Sequence, residues 1–154
     1  MKGKITALAA GGILAAAAVV VAKWEGKHNE VYLDPVGIPT VCYGHTGPEV
    51  KPGLRFTNSE CEALLREDLL EAQRIVRRCI PGPKQPHQEA ALISAAFNVG
   101  PKVVCGSTLQ RKALAGDWVG ACAELDRWRY AKGRVFKGLI LRRADERALC
   151  EGRL

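Results

Sequence analysis

The sequence lacks the residue spacings by which small basic proteins bind nucleic acid or zinc. None of its six cysteines forms a CxxC pair, and the short interval from Cys42 to His45 has no second pair of ligand spacing. No repeat alternates basic with aromatic residues. These absences argue against a nucleic-acid partner and a metal site, and no cofactor motif is present. The 154 residues are enough for one domain with a hydrophobic core.

Acidic residues are absent from positions 1–23, which contain Lys2, Lys4 and Lys23. These three lysines account for part of the net charge of +7 and leave +4 on residues 24–154. A mildly basic body suits a polyanionic partner such as a cell-wall polymer or nucleic acid, although the same charge also serves solubility alone.

Residues 5–22 form an uncharged run of 18 residues behind two lysines. A helix of this length spans about 27 Å, slightly less than a bilayer core of about 30 Å. The preceding lysines predict that the N-terminus stays in the cytoplasm and that the body is exported. Because the run is rich in alanine and has only seven strongly apolar residues, its insertion is worth only about −2 to −4 kcal/mol.

Three fates of this run remain open: a cleaved signal peptide, a permanent anchor, or a segment that leaves the membrane whole. Cleavage after Ala22 would leave only Lys23 and Trp24 before Glu25, and chain ends fray. A permanent anchor would instead hold Glu25 at the bilayer surface. We therefore divide the chain into an N-terminal segment, 1–23, and a body, 24–154.

The body is predicted to be α+β and mostly helical. Residues 30–46 indicate a β-hairpin around a turn rich in proline and glycine. Thr57 and Glu60 fit a capping box that starts a helix. Further helices are predicted at 87–100 (buried), 107–116, 117–130 and 137–152. In the last helix, we expect a solvated basic face made by Arg142, Arg143 and Arg147.

The spacing Glu25-x8-Asp34-x5-Thr40, running from a helix end into a hairpin, resembles the catalytic set of phage-type lysozymes, glycoside hydrolase family 24. Five ordered motifs extend the resemblance over residues 24–150: TVCYGHT, ALLREDL, FNVG, STLQRKALAGD and RWRYAKGRVFKGLILRRADERALC. It implies a lysozyme-like domain with a small β-hairpin lobe and a helical lobe. With the preceding apolar run, the chain is similar to signal-anchor-release endolysins of lambdoid phages. Residues 1–22 contain no cysteine, so a thiol in this segment cannot trigger release.

The resemblance also implies a mechanism and a location. Glu25 would be the general acid, Asp34 a base or oxocarbenium stabiliser, and Thr40 would position water. The expected substrate is the β-1,4 bond between N-acetylmuramic acid and N-acetylglucosamine in peptidoglycan, and the protein would be a monomer that moves from the host inner membrane to the periplasm. A hydrolase of chitin-like polymer and a membrane-tethered wall-binding module are the alternatives. The intact set of Glu25, Asp34 and Thr40 counts against a mere binding module.

The six cysteines predict three disulfides in an exported protein, with zinc ligation or reduced core thiols as alternatives. The resemblance favours the pairs Cys42–Cys61, Cys79–Cys105 and Cys122–Cys150. We also predict a structural ion pair between His45, on the hairpin, and Asp68, on the helix that follows.

Six aromatic residues could stack on sugars, although core packing is the commoner role: Trp24, Tyr32, Tyr43, Trp118, Trp128 and Tyr130. Trp24 is also a candidate for an apolar wall beside Glu25.

Overall fold

The structure is a computed structural model that describes residues 12–154. Its helices are α1 (Ile13–Glu25), α2 (Asn58–Cys79), α3 (Pro86–Val99), α4 (Thr108–Leu114), α5 (Trp118–Glu124) and α6 (Lys137–Cys150). Its strands are β1 (His28–Leu33), β2 (Pro39–Cys42), β3 (Tyr130–Ala131) and β4 (Arg134–Val135). Single 3-10 turns occupy Pro101–Val103 and Leu125–Arg127. The described chain is therefore mostly helical, with two small antiparallel sheets.

Helix α1 is continuous across the division at residue 23, and its apolar side is part of the main core. Ala17, Val20 and Val21 are buried there. The described part of the apolar run 5–22 thus packs on the body, while residues 5–11 lie outside the described residues. Within residues 12–154, no helix has both the length and the apolar character that a bilayer crossing requires.

Helices α2 and α3 form the frame of the helical lobe. The predicted capping box starts α2: Thr57 Oγ1 accepts from the Glu60 N–H at 3.1 Å, and the Thr57 N–H donates to Glu60 Oε2 at 2.7 Å. Helix α3 is buried along 89–96, as its nearly continuous apolar sequence predicts. It ends at Gly100, whose φ of 95° is favourable only for glycine.

The hairpin lobe is formed by β1 and β2, which pair antiparallel with Tyr32 opposite Thr40. A small separate core lies beneath it, made of Val41, Cys42, Val50 and Cys61. Exposed and half-buried positions alternate along the first part of β1, which is typical of a strand with one solvated face.

The predicted helix 117–130 is too long. Asp117 caps α5 as expected, accepting from the Gly120 N–H at 2.9 Å, but α5 ends at Glu124. Tyr130 instead starts a second hairpin and pairs with Val135. Lys132 and Gly133 at the turn both have positive φ, 50° and 73°, and this two-residue turn matches the twist of paired strands.

Three disulfides join these elements, and all six cysteines take part. They are Cys42–Cys61, Cys79–Cys105 and Cys122–Cys150, with Cα–Cα distances of 5.0, 5.3 and 5.7 Å. The first ties the hairpin lobe to α2, the second ties the end of α2 to the loop before α4, and the third ties α5 to the end of α6. This is the connectivity that the family resemblance favours.

Candidate active site

A cleft of about 430 Å³ lies between the hairpin lobe and the helical lobe. The hairpin side contributes Gly44 and Thr46, and the helical side contributes Phe97 and Asn98. Glu25, the last residue of α1, also lines the cleft. The cleft therefore lies where the two lobes meet, and it receives a carboxyl group from the N-terminal helix.

The carboxyl group of Glu25 is held by a buried arginine. Arg142 Nη1 donates to Glu25 Oε1 at 2.6 Å, and the exposed fractions of the two side chains are 4% and 24%. The prediction of a solvated basic face on the last helix is thus wrong for Arg142 and also for Arg143, both of which are buried. Arg147 is half-buried and pairs with Asp126 and Glu151.

Glu146 explains how two arginines can be buried side by side. Its carboxylate lies 3.2 Å from Arg142 Nε and 2.8 Å from Arg143 Nε, and it accepts from Ser94 Oγ at 2.8 Å. Arg143 Nη2 in turn donates to Asn98 Oδ1 at 2.6 Å. One buried carboxylate therefore orients two arginines that reach two residues of the cleft. In the sequence, Glu146 follows Arg142 by four residues and Arg143 by three, and this spacing puts all three on one side of a helix.

The other oxygen of Glu25 lies against Gly44 of the hairpin lobe. A Cβ added to Gly44 would lie 3.0 Å from Glu25 Oε2, and the φ of Gly44 is 79°. Glycine is needed here for the backbone conformation and for the close approach of the carboxyl group.

Asp34 and Thr40 lie in the hairpin lobe. Asp34 Oδ1 accepts from the N–H groups of Val36 and Ile38, at 2.9 Å each, so the turn fixes the carboxyl group. Thr40 is buried, and its Oγ1 donates to the carbonyl of Ile38 at 2.9 Å. Both side chains are thus held by the same turn.

The pKa of Tyr32, on β1, responds to the charges of two predicted site residues. Its pKa is raised above 10.0, first by burial and then by the negative charges of Glu25 and Asp34. The main chain of Tyr32 pairs with Thr40. Glu25 lines the cleft, whereas Asp34 and Thr40 are not among its lining residues. The sequence marked Tyr32 only as one aromatic among six.

His45 makes the predicted contact with Asp68 and a second contact with Glu49. Nδ1 lies 2.8 Å from Asp68 Oδ2, and Nε2 lies 2.6 Å from Glu49 Oε1. Burial lowers the pKa of His45, but hydrogen bonds to both carboxylates outweigh this, so the pKa is raised above 6.5. Burial raises the pKa of Asp68 despite its hydrogen bond to His45.

Trp24, the candidate for an apolar wall beside Glu25, makes both apolar and polar contacts. Trp24 is half-buried against the main core, and its Nε1 donates to Asp145 Oδ2 at 2.9 Å. Tyr43, Trp118 and Trp128 also pack against that core, which matches the commoner role of aromatic residues.

A second hollow, of about 510 Å³, lies in the helical lobe and is lined by Lys102, Arg111, Arg127 and Trp128. Its acid, Glu124, is already paired with Lys112 at 2.8 Å and with Arg127 at 3.0 Å. It therefore offers no second acid for paired-carboxylate chemistry. Among residues 12–154, no cluster of three or more His, Cys, Asp and Glu side chains is arranged to hold a metal ion.

The family model described as phage lysozyme matches residues 22–146. A SAR-endolysin of Bacteriophage PS119 is 40% identical over 97% of this chain and 93% of its own length. The active form of P1 phage endolysin Lyz superimposes with a TM-score of 0.81 at 27% identity, covering 90% of this chain and 85% of that chain. The muramidase domain of SpmX from Asticaccaulis excentricus superimposes with a TM-score of 0.79 at 31% identity, covering 88% of this chain and 94% of that chain. The chain belongs to the phage lysozyme family and is a lysozyme-type hydrolase of peptidoglycan.

Proposed function

We propose that this chain is an endolysin that cleaves the β-1,4 bond between N-acetylmuramic acid and N-acetylglucosamine, with Glu25 as the general acid. The observation that carries the proposal is the position of Glu25 in the cleft, between Arg142 on one side and Gly44 on the other. A proton donor must be held within hydrogen-bonding reach of the leaving oxygen, and these two contacts fix the carboxyl group at the meeting point of the lobes.

Asp34 is the proposed partner on the other side of the sugar, as a base toward water or as a stabiliser of positive charge. One of its oxygens is occupied by the turn, which fixes the direction of the other. Thr40, in β2 just after this turn, is proposed to help position the attacking water.

The test of the catalytic assignment is Glu25→Gln, with Glu30→Gln as the matched control. Glu30 is an exposed carboxylate on β1 that pairs with Arg55 at 2.5 Å, away from the cleft. Loss of general acid catalysis should lower the rate of peptidoglycan hydrolysis by about 10²-fold or more, while circular dichroism shows the same fold as in the unchanged chain. Near-normal hydrolysis by Glu25→Gln would overturn the assignment.

The bond assignment is tested separately, by reducing the digest with borohydride. Muramitol at the new ends is the expected product, whereas glucosaminitol would mean that the other glycosidic bond is cut. Cleavage of chitin oligomers at a comparable rate would favour the alternative of a hydrolase for chitin-like polymer.

We further propose that the chain is first held inactive in the host inner membrane through residues 5–22, with the N-terminus cytoplasmic and the body periplasmic, and is then released uncleaved as a monomer. Two observations support this. Relatives such as that of Bacteriophage PS119 are SAR-endolysins. Ala17, Val20 and Val21 belong to the apolar run and are buried in the core here, so they cannot pack in a bilayer at the same time.

The intact mass of the soluble periplasmic protein tests this proposal. Retention of residues 1–22 is the expected result, and their loss would favour a cleaved signal peptide. A variant with leucines in place of alanines in the run should stay in the membrane and remain inactive; full lysis by that variant would contradict the control mechanism.

A further inference from the structure

The last turn of α1 is attached to α6 by three consecutive residues. Lys23 Nζ lies 2.6 Å from Asp145 Oδ2, and Trp24 Nε1 donates to the same oxygen at 2.9 Å. The next residue, Glu25, accepts from Arg142. Asp145 follows Arg142 by three positions, so both lie on one side of α6. A single face of α6 therefore holds the whole final turn of α1.

These contacts lie in a turn that has no fully buried apolar residue, although the Trp24 ring packs half-buried against the main core. The buried apolar residues of α1 end at Val21, one turn before Glu25. Gly26 follows immediately with a φ of 68°, and it ends the helix. Terminal turns of helices fray because their carbonyl groups lack intrahelical partners. The direction of the Glu25 side chain thus depends both on its own contact with Arg142 and on the polar contacts that hold its neighbours.

Asp145 is suited to fix this direction because it contacts two neighbours of Glu25 through one oxygen. The Lys23 ammonium group also lies 5.1 Å from the centre of the Trp24 ring, so the three side chains form one cluster. Lys23 is 60% exposed, and an exposed ion pair adds little to global stability. The cluster is better suited to orienting the helix end than to stabilising the fold.

We propose that Asp145 is a positioning residue for Glu25, which orients the last turn of α1 by binding Lys23 and Trp24. This inference rests on the proposed role of Glu25 as the acid. The contact exists only when α1 is docked on the body, so Asp145 completes the site at the step that brings Glu25 into the cleft. It does not touch the substrate and acts only through the helix end.

The experiment uses the full-length soluble chain and compares Asp145→Ala with Asp126→Ala. Asp126 is the matched control, since it too is a partly exposed carboxylate paired with an α6 residue, Arg147, at 2.5 Å. For Asp145→Ala, kcat on peptidoglycan fragments should fall about tenfold because the acid is misplaced, with KM within about twofold. Asp145→Asn should lose less, because its amide oxygen can still accept from Trp24. Asp126→Ala should keep kcat within about twofold of the unchanged chain.

A second measurement follows the helix end directly. The indole N–H resonance of Trp24, identified by its loss in Trp24→Phe, should shift in Asp145→Ala and stay in place in Asp126→Ala. Equal kcat values for Asp145→Ala and Asp126→Ala, with Glu25→Gln inactive, would overturn the positioning role and leave the proposed function intact. An active Glu25→Gln variant would instead overturn the proposed function. A Trp24 resonance unmoved in Asp145→Ala would also contradict the positioning role.

Discussion

Helix α1 has a first, apolar half (residues 13–22) and a second, polar half (residues 23–25), and the two are held to the body by different forces. The first half packs Ala17, Val20 and Val21 into the main core, with no polar contact needed. The last turn, from Lys23 to Glu25, has no fully buried apolar residue and is held by Asp145 and Arg142. Apolar burial is strong but not directional, whereas charge-assisted hydrogen bonds fix an atom in space. The first half thus determines whether the helix docks, and the second determines where the carboxyl group lies.

The largest effect is expected from removing the buried carboxylate of Glu146, which supports Arg142 and through it the last turn of α1. Glu146→Gln leaves Arg142 and Arg143 buried without their shared carboxylate, so the free energy of unfolding should fall by about 3–5 kcal/mol. Chemical denaturation measures this loss. Arg142 should also lose its orientation, so hydrolysis by the remaining folded protein should fall. A loss of unfolding free energy below about 1 kcal/mol would show that the two arginines do not depend on Glu146.

Gly44→Ala tests the contact on the other side of Glu25. The new methyl group would lie against the carboxyl group, and displacement of the acid should lower hydrolysis about 10- to 100-fold. Gly53→Ala is the control, because Gly53 has a similar φ of 89° but nothing within 4 Å of the added Cβ. Both variants should lose about 1 kcal/mol of stability from backbone strain. Similar activities for the two variants would show that the approach of Glu25 to Gly44 is unimportant.

Val21→Ala tests the apolar half. Removing a fully buried side chain's methyl groups should lower the free energy of unfolding by about 2 kcal/mol, measured on the soluble chain. The kcat of the folded protein should stay the same, because the polar contacts of the last turn are untouched. Val19→Ala, at a position 51% exposed on the same helix, should change stability by less than about 0.5 kcal/mol. A large loss of kcat in Val21→Ala would contradict the assignment of docking to the apolar half and of carboxyl position to the polar half.

The smallest effect is expected at His45, which lies outside α1. Its pKa is raised in the folded state, so its stabilising contribution is complete below the unfolded value of 6.5 and is lost as the pH rises through the folded value. The stability difference between the unchanged chain and His45→Asn should be about 1 kcal/mol at low pH and should shrink at high pH. Denaturant titrations of both proteins, monitored by circular dichroism at several pH values, measure this difference in the free energy of unfolding. A difference that grows with pH would contradict the assigned direction.

The sequence predicted the elements whose signals are local. The capping box at Thr57, the buried helix before Gly100 and the hairpin around Pro35 and Gly37 all follow from spacing and composition over a few residues. The helix predicted through Tyr130 was wrong because the Lys132–Gly133 turn lies beyond the window that suggested a helix, and it pairs two-residue strands that have no period of their own.

The site was harder to predict because its electrostatics are not local. Glu25 was identified by family spacing, but its contact with Arg142 joins residues 117 positions apart. A cluster of arginines on a helix is usually solvated, and only the tertiary packing around Glu146 buries it here. Asp145 gave no sequence signal, since its two partners lie at the far end of the chain.

Helix α1 can be regarded as a ligand that the body carries on its own chain. The fraction of molecules with the acid in place then follows a binding isotherm, with an effective concentration set by the tether. If docking is favourable by several kcal/mol, the isotherm is saturated, and weakening the docking by about 1.4 kcal/mol changes occupancy little. Below saturation, the same change would lower activity tenfold. The face of α1 that buries Ala17, Val20 and Val21 therefore provides a reserve of docking energy: a single small loss leaves activity unchanged, and only losses that together exhaust the reserve lower it.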